Sequence, residues 1–170
     1  LPKGNWFNFW TDEKLTGQKE ITWNGDLYHF PMYVREGAII PMEVKNDVSG
    51  FGTKRSAGYV TVSIWPKISG QSSFIFHDTE APVTFTVQQG YDKVLKVNWS
   101  SSVKNYIFRL NTEDKRAPKK ITSSVNMLIA FSGPHAFNNS SADGWYYDRA
   151  NQKLWIKTRS GAQNSIKIYR

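Results

Sequence analysis

Apolar and polar side chains alternate with period two along nearly the whole chain, and helical periodicity is hard to find. The pattern therefore predicts strands. Near the N-terminus Trp6, Asn8 and Trp10 fall on one face, Phe7 and Phe9 on the other. Asp12 to Thr16 has turn chemistry, and Gly17 to Trp23 reads as a second strand. Asn24-Gly25 is a hairpin signal because both residues tolerate positive φ. Tyr28 to Arg35 reads as a third strand broken by Pro31, which implies an edge or a bulge. Gly37 to Pro41 is a short apolar strand.

Residues 45–58 change character, with Asn46, Asp47, Ser49, Gly50, Gly52 and Ser56 making a polar, glycine-rich connection. Connections of that length are uncommon inside one packed unit. They place a module boundary here, with residues 1–56 before it and 57–170 after it. Alternation resumes cleanly at Tyr59 to Trp65, then at Ser73 to His77, Val83 to Gln88, Val94 to Trp99 and Tyr106 to Leu110. Lys120 to Ser124 follows the break at Ala117-Pro118, and Val125 to Phe131 reads as a strand or one helical turn that Gly133-Pro134 stops. Trp145 to Asp148 and Lys153 to Thr158 form a hairpin around Arg149 to Gln152, and Ser165 to Tyr169 is the last strand. Short strands at this spacing are the signature of sandwiches or barrels. The fold class expected is all-β: two consecutive antiparallel β-sandwich-type modules, the first incomplete because the chain opens inside it.

Composition narrows the function classes. The chain has no cysteine, which removes disulfides, thiolate metal sites and a thiol nucleophile. Aromatics make up 15% of the residues, a mix that suits half-buried pleated sheet. No apolar run approaches the roughly 18 residues of a membrane helix, and no charged-then-apolar leader is visible. A soluble bacterial protein, cytoplasmic, periplasmic or secreted, is expected. The net charge of +8 is spread along the chain, with the densest runs, Lys54-Arg55 and Lys115 to Lys120, in expected turns. A nucleic-acid partner would call for a clustered stripe, so none is expected.

Candidate chemistry is sparse. Glycoside cleavage needs two carboxylates facing each other about 5–9.5 Å apart, but most acids here lie in turns and read as solvated or turn-capping groups. The histidines, His29, His77 and His135, are far apart in sequence, and no serine sits in a Gly-x-Ser-x-Gly elbow. A calcium site from Asp78, Glu80 and backbone carbonyls ranks below a plain turn. No catalytic residue, metal ligand or cofactor site is assigned. The aromatics remain. Trp145, Tyr146 and Tyr147, beside the loop Asn138 to Ser141, could pack on the C–H face of a pyranose, with Asn139 or Asp143 bonding its hydroxyls. Core packing competes with that reading.

The run Leu1-Pro2-Lys3-Gly4-Asn5-Trp6-Phe7-Asn8-Phe9-Trp10-Thr11 resembles the "LPKG-W-DFWTG" segment of glycoside hydrolase family 31, the α-glucosidase and α-xylosidase family. Phe30 to Pro41 is similar to that family's "IPVFVRAGSIIP" segment. Val62 to Pro66 and Ser73 to Phe76 look like the start of its distal C-terminal sandwich, while His77-Asp78-Thr79-Glu80 departs from the family's Tyr-Glu-Asp-Asp pattern. The resemblance implies a proximal β-sandwich segment at 1–56 and a distal β-sandwich at 57–170. It also implies that the catalytic aspartates lie on a (β/α)8 barrel of the parent chain, with none here. The role expected is a non-catalytic accessory region of a retaining α-glycosidase that braces the barrel. Trp6, Phe9, Trp10, Tyr33, Ile39 and Ile40 would bury the contact. The second reading is a carbohydrate-binding module in the distal half, with an α-glucan or oligosaccharide partner.

Overall fold

A computed structural model describes residues 1–25, 28–45, 47, 50–77, 81–100, 103–111, 116–159 and 164–170. The strands are β1 (Asn5–Asn8), β2 (Lys14–Thr16), β3 (Tyr33–Arg35), β4 (Ile39–Met42), β5 (Tyr59–Ile64), β6 (Gly70–Phe76) and β7 (Val83–Gln89). They continue with β8 (Leu95–Trp99), β9 (Asn105–Asn111), β10 (Lys120–Ser123), β11 (Ile129–Ala130), β12 (Gly144–Asp148), β13 (Lys153–Thr158) and β14 (Ser165–Tyr169). One short helix, α1 (Pro134–Asn139), and a 3-10 turn (Lys54–Ser56) complete the described elements. The all-β class holds.

Three sheets result, with strand orders β2-β1-β3, β10-β14-β8-β7-β6 and β11-β12-β13-β9-β5-β4. The first two are antiparallel throughout. The six-stranded sheet is mixed, because β5 pairs with β9, and β11 with β12, in parallel. That departs from the purely antiparallel expectation. Parallel neighbours need a long crossover, and the whole β6–β8 meander lies between β5 and β9. The five- and six-stranded sheets pack face to face as a sandwich. Alternate residues of each fill the main core: Val60, Val62, Ile64, Tyr106, Phe108, Leu110, Leu154 and Ile156 from one, Phe85, Val87, Leu95, Val97, Ile166 and Ile168 from the other.

Because side chains alternate across a strand, the same six-stranded sheet has a second face carrying Thr61, Ser63, Arg109, Lys153, Trp155 and Lys157. This face is covered too. Thr61, Ser63, Arg109, Lys153 and Lys157 are all buried. The three-stranded sheet and the connection cover one part through a smaller core of Phe7, Phe9, Val34, Phe51 and Trp65. Helix α1 covers another, with Phe137 buried. The division expected at residue 56 follows chain order, and a ladder joins the two stretches: β4 pairs with β5 from Ile39↔Ile64 to Met42↔Thr61.

Three local expectations are corrected. The turn after β1 is tighter than Asp12 to Thr16. The Asn8 side chain accepts from the backbone N–H of Trp10 at 2.9 Å and of Thr11 at 3.3 Å, and Asp12 takes φ +60°. This side-chain-driven reversal starts β2 at Lys14, and Gly17 to Trp23 forms no strand. Of Tyr28 to Arg35 only the part beyond Pro31, Tyr33–Arg35, enters a ladder. Gly133-Pro134 begins a helix instead of ending a strand. Proline is pre-set for the first helical turn, where its missing N–H has no intrahelical role. Asn138 and Asn139 therefore sit on α1, not in a loop.

Candidate functional site

One buried cluster joins the N-terminal hairpin to the sandwich. Asp12, at the tip of the β1–β2 turn, reaches the outer face of the six-stranded sheet. Its Oδ1 accepts from Trp65 Nε1 at 2.7 Å, and its Oδ2 from Arg109 at 2.7 Å and from Lys153 Nζ. Asp12 and Arg109 are 8% and 2% exposed, so the pair is dry. The Arg109 guanidinium also lies over the Phe51 ring, 4.5 Å from its centroid. Burial lowers the pKa of both cations below the ordinary value, with Arg109 adding to the effect on Lys153, while Asp12 pulls both back up. Sequence reasoning missed this cluster. Arg109 and Lys153 fall at the outward-alternating positions of Tyr106 to Leu110 and Lys153 to Thr158, where charge is ordinary, so periodicity gave no signal.

Beside it on the same face lies a groove of about 230 Å³. Its floor comes from the β12–β13 hairpin. Tyr146 and Trp155 are cross-strand partners, with ring planes 1° apart and centroids 6.4 Å apart. One wall is α1, where Phe137 packs at 5.0 Å from Tyr146. Lys157 fixes that wall by donating to the carbonyls of Phe137 (2.6 Å) and Ser140 (2.5 Å), which end the helix. Cations at a helix C-terminus complement its dipole. The opposite wall is the 50–56 stretch, closed on itself by reciprocal Thr53 and Ser56 caps and tied to α1 by a hydrogen bond from Arg55 to Asn139 Oδ1.

The candidate sugar-binding residues separate accordingly. Three consecutive strand residues cannot share a face. Trp145 is 8% exposed in the main core and Tyr147 packs against that core, so only Tyr146 faces outward. Trp155, which the sequence reading passed over, takes the place expected of Trp145. Asp143 accepts from the Arg159 backbone N–H and Nε at 3.0 and 3.1 Å. Asn139 sits on α1 and receives Arg55.

Among the expected interface residues, Phe9 belongs to the smaller core and Ile39 to the main one. Trp6, Trp10, Tyr33 and Ile40 are half-buried. Trp6 Nε1 donates to the Pro2 carbonyl at 2.9 Å. Trp10 anchors an outer aromatic group: its Nε1 donates to the Phe30 carbonyl at 3.0 Å, and the His29 and Phe30 rings meet it edge-on. Tyr28 and Phe30 are 89% and 62% exposed.

His29, His77 and His135 are all exposed, the first two outside any strand and the third on α1. Among the described residues no group of three or more metal-ligating side chains converges, and no helix is long and apolar enough to cross a membrane. The calcium arrangement weighed at Asp78 and Glu80 lies outside the described residues.

The Tyr146 phenol has its pKa pushed up to about 12, by burial first and by the Asp148 charge second. The unfolded chain loses this proton near the ordinary value of 10.0. Between the two the folded state holds more protons, so stability falls as pH rises through that window. Tyr146→Phe removes this loss. The expected result is a urea midpoint that declines less steeply than wild type from pH 10 to 12, with matching midpoints at pH 8. Parallel declines would show that the phenol is not buried as described.

Residues 1–40 match the family model described as glycosyl hydrolase family 31 C-terminal domain. An isomaltosyltransferase of Sporosarcina globispora is 23% identical over 95% of this chain and 15% of its own length. An alpha-glucosidase of Saccharolobus solfataricus is 26% identical over 75% of this chain and 18% of its own. In structure the whole chain superposes on a cycloalternan-forming enzyme from Listeria monocytogenes with a TM-score of 0.83 at 20% identity, covering 16% of that chain. It superposes on a Flavobacterium johnsoniae GH31 dextranase with a TM-score of 0.76 at 19% identity, covering 24%. The chain thus spans less than a quarter of the length of each of these proteins. The motifs and these matches point the same way: the chain is similar to a C-terminal region of glycosyl hydrolase family 31.

Proposed function

We propose that this region is a non-catalytic accessory part of a retaining α-glycosidase, bracing the (β/α)8 catalytic barrel of its parent chain. In this reading residues 1–56 form the proximal segment against the barrel and residues 57–170 the distal sandwich. The observation that carries it is the aromatic group on the first module. Trp10 packs on the smaller core and carries the Phe30 ring on its outer side, and Phe30 and Tyr28 are largely exposed. An exposed aromatic cluster of this kind marks an interaction face. The reading moves the expected contact outward from Phe9 and Ile39, which are already spent internally. Bracing also suits the Asp12 cluster, which holds the first module firmly to the sandwich behind it.

The test is Phe30→Glu in the parent enzyme. A carboxylate at a buried contact has no partner, so the melting temperature of the catalytic barrel is expected to fall by several degrees. The kcat/KM per folded molecule should stay unchanged, because no reacting group is touched. Unchanged melting, or a specific loss of kcat, would remove the bracing role.

A further inference from the structure

We infer that the groove between α1, the 50–56 stretch and the β12–β13 hairpin is a binding site for one neutral pyranose unit, separate from any catalytic subsite. The inference does not rest on the bracing role. It starts from the lining. Tyr146, Trp155 and Phe137 give the groove an aromatic floor and one aromatic side, while Asn138, Asn151 and Asp148 stand at its rim. A pyranose presents that same division, with C–H groups on its faces and hydroxyls at its equator. Aromatic faces take the first, and amides, which both donate and accept, take the second. At about 230 Å³ the space is below the ~300–1,000 Å³ of pockets for drug-sized ligands, which suits one ring.

Charge excludes the main competitors. Among the described residues the lining includes the carboxylates Asp47 and Asp148 and no lysine or arginine, so a phosphate or carboxylate would find like charge and no lining cation. A quaternary ammonium would find aromatic rings and acids, an arrangement known to hold such cations. Here, though, Asp148 is already engaged. It accepts from the Ala150 and Asn151 backbone N–H groups at 3.1 Å and from Asn151 Nδ2 at 2.8 Å. It also faces Lys153 across the hairpin. The Asn138 amide and the carbonyl oxygen of the Asn151 side chain, whose Nδ2 is held by Asp148, would be wasted on a ligand with no hydrogen-bonding group.

The site is also built in advance. Lys157 clamps the helix wall, the Thr53–Ser56 caps hold the opposite wall, and Arg55 links the two. A ligand therefore orders little on entry, which favours binding.

The experiment uses the 170-residue chain, ¹⁵N-labelled, titrated with isomaltotriose and separately with choline. Saturable shifts confined to the Trp155 indole N–H and the Asn138 and Asn151 amides are expected with the sugar. Trp155→Leu should abolish them. Asn138→Ala, a helix-favouring change that leaves the floor intact, should weaken binding several-fold with an unchanged circular dichroism spectrum and melt. Sugar shifts that stay linear with concentration, saturation by choline instead of sugar, or an Asn138→Ala affinity equal to wild type would each overturn the assignment.

Discussion

Asp12→Ala is expected to cost about 3–5 kcal/mol, the range for removing one partner of a buried ion pair. The substitution deletes a small side chain from a turn, and a surface-turn reading would give a near-neutral effect. The geometry says otherwise. Arg109 and Lys153 would remain buried without their counter-charge, and Trp65 Nε1 would lose its acceptor. Lys153 has the cheaper escape, since an amine sheds its proton far more readily than a guanidinium. Its folded pKa, already lowered, would fall further. The unfolded chain still binds that proton up to the ordinary 10.5. Below that value the unfolded state holds more protons, so the stability of the variant should rise with pH. Urea unfolding of wild type and Asp12→Ala at pH 7 and pH 9.5 checks both parts. A loss under 1 kcal/mol at pH 7, or a deficit that grows with pH, would show that the carboxylate does not hold these cations. Hydrogen exchange should report the loss first in β1 and β2, because that hairpin is what Asp12 attaches.

The same residue shows where sequence reading stops. Asp12 beside Glu13 looks like ordinary turn chemistry, and so it is locally. Its partners lie 97 and 141 positions away, and nothing in the alternation pairs them. By contrast, β5, β7, β8, β9, β12, β13 and β14 were legible within a residue or two, because each alternates against a buried face. β2 and β3 were less so. They are only three residues long, and Asn8 sets the hairpin register through side-chain bonds that no periodicity encodes. The groove was half legible. Its aromatic character and its place near Asn138 and the β12–β13 hairpin were visible. Trp145 and Tyr147 fall on the face of β12 that meets the main core, and Trp155, the cross-strand partner of Tyr146, carried no signal of its own in the sequence.

Phe108→Ala should cause a loss of similar size by a different mechanism. Phe108 is fully buried on β9, in the interior of the six-stranded sheet. Across the sandwich its ring lies 4.9 Å from that of Trp99 on β8 and 6.3 Å from that of Phe85 on β7, which it meets edge-on. Truncating a buried phenylalanine costs about 3–5 kcal/mol, through lost burial and the cavity left behind. That is a large part of the 5–15 kcal/mol typical of a whole domain. At roughly 2–4 °C per kcal/mol for a chain of this size, the melting temperature should drop by about 6–20 °C. Phe74→Ala is the matched control. Phe74 lies on the edge strand β6 and is 41% exposed, so its loss should be clearly smaller. The two buried variants should also differ in kind. A cavity between the main sheets weakens β5, β9 and β13 together with β7 and β8, so exchange protection falls across the sandwich. Removing Asp12 leaves that interior packed and frees the hairpin. If Phe108→Ala and Phe74→Ala proved equally mild, β9 would not lie between two packed layers, and the sandwich would have to be redrawn.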